Sequence, residues 1–263
     1  MDQIFIIKVI SSFLIAGTWI ALSTLLAEKL GSKVGGLISN LPSNILVSLI
    51  FIALVNDVSY VTNAIVSIPL GISICTIFLV VFIVLLRFNL ALAISISLFF
   101  WFLLAFISST LSLDRLYINV IICITIIFIS ILFLEKVLKT QTINHTKRKY
   151  SFLQFISRIF FSGSIVASIV IISKYSNPYF TGIFSTFPAM LLSTMIILTM
   201  NQGKQFAQAT GKILVLSLSN TVVYIIAVYF TYPLFGIIFG TILSYTLSAL
   251  WILFLYPLVK RLI

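Results

Sequence analysis

Apolar residues come in long runs, separated by short gaps that hold charged residues, Gly, Pro or Asn. Nine runs approach the ~20 residues that an α-helix needs to cross a bilayer core. They are 7–27, 35–55, 62–86, 89–111, 116–134, 154–173, 179–200, 208–230 and 234–257. The one long polar stretch, 135–153, is too polar to enter lipid and too short to be a domain. The pattern predicts an all-α polytopic membrane protein with about nine transmembrane helices. It divides into a first four-helix repeat at 1–113, a linking helix with a basic linker at 114–153, and a second four-helix repeat at 154–263.

Composition names the solvent. With 61% of residues hydrophobic and 8% charged, the chain cannot cover a soluble surface, so its main partner is a lipid bilayer. A multi-pass protein of a bacterial-type plasma membrane is expected. The first run lacks the small-residue cleavage site of a signal peptide and reads as a retained helix. The charge of +11 sits in the gaps between runs, where it reads as an orientation signal and not as a nucleic-acid surface. Placing the N-terminus outside leaves only Lys8, Arg115 and Lys174 on the outer side, against thirteen basic residues inside. N-out, C-in follows from the excess of Lys and Arg that cytoplasmic loops carry. On that topology the sequon at Asn144 faces the cytoplasm and stays unglycosylated.

The sequence repeats itself. Shifted by 146 positions, 14–43 falls on 160–189, matching Gly17 with Gly163, Ala21 with Ala167, Gly36 with Gly182, Ser39 with Ser185 and Pro42 with Pro188. Further on, an offset of 150 pairs Trp101 with Trp251. Each copy has four spans and the linking helix adds a fifth crossing, so the second copy runs upside down relative to the first. Inverted repeats of this kind recur in alternating-access transporters. Channels also use them, so the topology alone does not choose between the two.

Candidate chemistry collects in the second and seventh runs. Gly36, Ser39, Asn40, Ser43, Asn44 and Ser48 are spaced three and four apart on one helical face, and Gly182, Ser185, Thr186, Ser193 and Thr194 do the same in the second copy. Pro42 and Pro188 each remove a backbone donor and free the carbonyl four residues back, at Ile38 and Phe184. A freed carbonyl survives in a membrane only where protein or a water-lined cavity satisfies it. Two readings stay open: close helix packing by small residues, and a substrate path. The expected path comprises Gly36, Ser39, Asn40, Pro42, Ser43, Asn44, Gly182, Ser185, Thr186 and Pro188, joined by Asn220 and Thr221 from the eighth run, where an unpaired amide in mid-membrane is costly. In the ninth run Thr241, Ser244, Tyr245 and Ser248 read as a helix-packing stripe.

Ionisable groups add little. Asp2, Glu28, Asp57, Asp114 and Glu135 all fall at run ends or in gaps, so no proton or sodium relay on a buried carboxylate is visible. Lys212 either snorkels to the cytoplasmic surface or meets an anionic substrate. Cys75 and Cys123 lie within apolar runs without metal or disulfide spacing, and the single His145 rules out a His-rich metal site. No catalytic set, phosphate loop or nucleotide domain emerges, so neither an enzyme nor a cofactor is expected. The expected function is secondary transport of a small neutral, weakly charged or lipid-like solute by alternating access. A passive channel and a non-transporting accessory or assembly subunit are the alternatives. Asn40→Leu and Asn220→Leu are expected to abolish transport. The sequence leaves the ion or solute unnamed and is compatible with a homo-oligomer.

The segment from Gly36 to Val58, GLISNLPSNILVSLIFIALVNDV, resembles the hallmark segment of small four-helix bacterial membrane proteins of the GlpM type and related families of unknown function. GIFSTFPAMLLSTMIILTMNQGK, from Gly182 to Lys204, looks like a second copy. The resemblance implies two such units fused through a linking helix, and brings no known substrate or site. Asn44 and Met190 depart from the small or apolar residues that the segment implies. Fluoride channels share the four-plus-one-plus-four layout, but their Asn-centred motif is absent from this sequence.

Overall fold

The computed structural model describes residues 3–29, 41–111, 113–138 and 152–262, and every regular element among them is helical. In chain order these are α1 (Gln3–Lys29), α2 (Ser43–Val55), α3 (Val58–Ile65), α4 (Ile68–Leu85) and α5 (Leu90–Leu111). There follow α6 (Leu116–Leu138), α7 (Phe152–Tyr175), α8 (Pro178–Phe184), α9 (Ala189–Gln202) and α10 (Lys204–Leu262). Among the described residues, six helices are long and apolar enough to cross a membrane: α4, α5, α6, α7, α8 and α9 taken together, and α10. Several such helices mark a multi-pass membrane protein. Two shorter apolar helices, within α1 and at α2, accompany them.

The nine expected runs do not map one to one onto these helices. Run 62–86 is split into α3 and α4, and run 179–200 into α8 and α9, while α10 joins 208–230 to 234–257. Much of run 35–55 lies outside the described residues.

Each break has a local cause. Pro69 sits in the first turn of α4, where its missing amide costs nothing, and the amides of Leu70 and Gly71 close on the Ser67 carbonyl. Asn119 of α6 takes the neighbouring Val66 carbonyl through Nδ2 at 2.8 Å. Between α8 and α9, Thr186 N donates to Ile183 O at 3.1 Å and Phe187 N to Phe184 O at 3.0 Å. The Phe184 carbonyl, which Pro188 excludes from helix pairing, is therefore satisfied by protein through a tight turn, one of the two ways left open for it. Within α10, Gly236 adopts φ 72°, a left-handed conformation that a residue without Cβ takes freely. There the chain folds back on itself. Tyr232 OH meets Thr241 Oγ1 at 2.7 Å, Thr231 Oγ1 meets Ser244 Oγ at 2.8 Å, and Ser248 Oγ donates to Asn220 Oδ1 at 2.6 Å. Partners rise on one limb as they fall on the other, so α10 is an antiparallel hairpin.

Among the described residues the most extensive contact between two helices is the crossing of α1 and α7. Phe5 packs edge-on against Tyr175 and lies 4.1 Å below the Lys174 ammonium, while Phe13 packs against Phe160. The two helices are therefore antiparallel. At their centre a Cβ on Gly17 would lie 2.8 Å from Ile159 Cγ2, and one on Gly163 would lie 2.8 Å from the Phe13 carbonyl oxygen. Small residues let helices approach closely where lipid supplies no hydrophobic drive to associate. The contact is reciprocal, because Gly17 and Gly163 are 146 positions apart and so are Phe13 and Ile159. Helix limits follow the same offset. α2 and α9 begin at Ser43 and Ala189, and α3 and α10 begin at Val58 and Lys204.

Polar contacts gather at the two ends of the bundle. At one end Lys8 donates to the Leu54 carbonyl, Asn56 Nδ2 to Ser173 Oγ at 3.1 Å, and Tyr60 OH to the Ser176 carbonyl at 2.8 Å. At the other, Lys204 donates to the Phe88 carbonyl at 3.0 Å, Lys212 pairs with Glu135 at 3.2 Å, and the Gln154 and Asn201 amides exchange two hydrogen bonds.

Candidate functional site

α2 starts directly behind Pro42 and α9 directly behind Pro188, and neither start carries a side-chain cap. Both starts line a partly open cavity of about 120 Å³. Ile72 and Cys75 of α4 close it on one side, and Ser217, Leu218 and Thr221 of α10 on the other. Of the residues expected to form the path, Pro42, Ser43, Asn44, Ser185, Thr186, Pro188 and Thr221 line this cavity. Gly36, Ser39 and Asn40 lie outside the described residues.

Two expected members sit elsewhere. Gly182 is a packing position, because a Cβ there would come within 2.1 Å of the Ala64 carbonyl oxygen and 2.2 Å of Ser67 Oγ. It brings α8 against α3, and Ser67 Oγ fastens that contact by donating to the Tyr179 carbonyl at 2.7 Å. Asn220 is fully buried and accepts from Ser248 across the α10 hairpin, so it serves the fold of that hairpin. Lys212 neither snorkels nor awaits an anion: its ammonium pairs with Glu135 of α6. Arg158 is buried and donates to Thr194 Oγ1 at 3.1 Å.

Most of the cavity wall consists of residues related in pairs by one sequence offset. Leu41 and Phe187, Pro42 and Pro188, Asn44 and Met190, Ile45 and Leu191, Ile72 and Leu218, and Cys75 and Thr221 all line it. Each of these pairs is separated by 146 positions. The offset found at 14–43 thus extends without a gap to Cys75, where the sequence reading saw only a buried small hydrophobe.

Its polar groups fall into two sets. Ser185 Oγ, Thr186 Oγ1 and Ser217 Oγ each donate to a carbonyl one turn back, and Cys75 Sγ donates to the Thr186 carbonyl. These groups are occupied by the backbone. Asn44 Oδ1 accepts from Ser162 Oγ of α7 at 2.7 Å, a contact that the spacing of either motif could not reveal. Among the described residues, nothing accepts from the Asn44 amide nitrogen, and Ser43 Oγ and Thr221 Oγ1 have no hydrogen-bond partner. None of the described residues lining the cavity is charged. The arrangement offers neutral hydrogen bonding to a bound molecule and no nucleophile–base pair. Behind Phe187, Trp101 packs edge-on to Phe187 at 4.9 Å and to Phe184 at 5.5 Å.

Residues 9–113 match the model of a family described as protein of unknown function (DUF3147). The matched segment holds α1 to α5 and one half of the cavity wall, and it ends where the first repeat was expected to end. Neither a curated protein nor a solved structure matches the chain.

Proposed function

We propose that the chain is a secondary transporter in which two four-helix repeats of opposite orientation alternate access to the cavity between Pro42 and Pro188. The observation that carries this reading is the cavity wall itself, in which six pairs of residues are equivalent under a single offset. Such a site lies on the relation between the halves, and exchanging their conformations would present it to either side at nearly equal energy. The antiparallel, reciprocal crossing of α1 and α7 supports the inversion, because equivalent helices of inverted repeats must run in opposite directions. Nine crossings with N-out and C-in fit the segregation of contacts. Lys8 and Lys174 belong to one end of the bundle, and Lys204 and Lys212 to the other.

On this reading the protein is a fusion of two units that resemble the GlpM type, in a bacterial-type plasma membrane, and carries a small neutral, weakly charged or lipid-like solute. Reconstitution into liposomes tests it, with a panel of radiolabelled small solutes. Saturable uptake that supports counterflow is the expected result. Unsaturable conductance would replace the carrier by a channel, and absence of flux with stable co-purification of another membrane protein would replace it by an accessory subunit. Labelling that finds both termini on one face of the membrane would overturn the inverted arrangement.

A further inference from the structure

We infer that the cavity recognises an uncharged group of about five non-hydrogen atoms that presents an oxygen acceptor, and that it rejects ions. The inference rests on the reading of the cavity as a solute site and narrows what enters it. Size comes first: a cavity of about 150 Å³ accepts benzene, with six heavy atoms, so about 120 Å³ seats a group slightly smaller than that.

Charge comes second. Among the described residues the wall carries no charge, and Lys212 is paired with Glu135. An ion entering would lose its hydration without a counter-charge, which costs far more than a few neutral hydrogen bonds return. A purely apolar occupant fares poorly as well, because it would leave the free groups buried and unpaired.

Those groups define the complement. Ser43 and Thr221 are each 7% exposed, line the cavity, and have hydroxyls without a partner among the described residues. Asn44 is held at its oxygen by Ser162 of the opposite half, which leaves its amide nitrogen as the end available to the cavity it lines. An NH₂ group only donates, so it requires an acceptor oxygen, while a hydroxyl on either side can donate or accept. Ser43 and Asn44 come from one half and Thr221 from the other, so one molecule bonded to all three would bridge the two halves.

Acetamide, acetate and acetamidinium test this directly, since they share one four-atom planar skeleton and differ in charge. Saturation-transfer NMR on the full chain in detergent micelles, with empty micelles as reference, reads binding from the methyl signal of each. Acetamide is expected to receive at least about fivefold more transfer than either ion. Thr221→Val and Ser43→Ala, both near-isosteric, should each weaken acetamide binding about fivefold, the worth of one hydrogen bond of ~1 kcal/mol. A melting curve of each variant separates lost binding from lost fold, and either variant alone suffices. Equal transfer to an ion, acetamide transfer no greater than in empty micelles, or acetamide binding that both folded variants retain would overturn the inference. Acetamide binding without flux in liposomes would refute the carrier and keep this site. Saturable flux of an ion without acetamide binding would do the reverse.

Discussion

Replacing Gly163 by Ala tests the crossing of α1 and α7 on which the relation between the halves depends. The added Cβ would lie 2.8 Å from the Phe13 carbonyl oxygen and 2.9 Å from its ring, and a backbone atom cannot rotate aside. The helices must separate by several tenths of an ångström. Because the obstacle is backbone, the cost falls in the upper part of the overpacking range, about 2–3 kcal/mol, from which the better helix propensity of Ala returns about 0.8–1. A net loss near 1–2 kcal/mol lowers the melting midpoint by about 2–8 °C for a chain of this size. At Gly17 the equivalent Cβ meets Ile159 Cγ2 at 2.8 Å and the Ile159 carbonyl only at 3.3 Å, so the conflict there lies mainly with a side chain. Ile159→Leu moves the branch away from Cβ and should recover most of the Gly17→Ala loss. Phe13→Leu should recover much less of the Gly163→Ala loss, because the carbonyl stays. Melting followed with a thiol-reactive dye reads all six variants, since Cys75 and Cys123 are both buried and free. A Gly163→Ala protein that melts like the parent, or equal rescue at both sites, would refute the close antiparallel contact.

Two further outcomes follow from contacts away from the cavity. Asn220→Leu removes the acceptor of Ser248 in a fully buried pair. It should cost about 1–2 kcal/mol in melting assays and, against the expectation from sequence, leave flux per folded molecule intact. Abolished flux in a fully folded Asn220→Leu protein would put Asn220 back on the path. In the Lys212–Glu135 pair the side chains are 8% and 44% exposed. Glu135→Gln strands a buried ammonium and should destabilise by about 1–3 kcal/mol, while Lys212→Met leaves a carboxylate that water reaches and should cost under about 1 kcal/mol. The reverse order in the same melting assay would refute the burial of Lys212.

Helix positions were legible wherever apolar length or Pro decided them. Pro42 and Pro188 mark the starts of α2 and α9 because a residue without an amide belongs in a first turn. Pro69 carries the same signal for α4, but the apolar residues around it hid the break between α3 and α4. For the candidate site, the small and polar face of each motif was visible, while the job of each residue was not. Gly182 and Ser185 share a face by spacing, yet only the approach of Ala64 makes one a packing position and leaves the other on the cavity. Ser162 and Lys212 take partners more than 70 positions away, and no local pattern encodes such contacts. Cys75 could have been found, since the 146 offset leads from it to Thr221.

Asn119 gives the linking helix a second task. Its amide nitrogen is shared between the carbonyls of Val66, at the gap between α3 and α4, and Leu113, each at 2.8 Å. That gap belongs to the first half, whereas Asn119 lies beyond the segment that the family model covers. A free-standing unit of residues 9–113 would lack this donor, and so would a pair of such units assembled without a connector. α6 is therefore a structural strut as well as a connector, so a version of the chain cut in two should keep α6 on its first fragment.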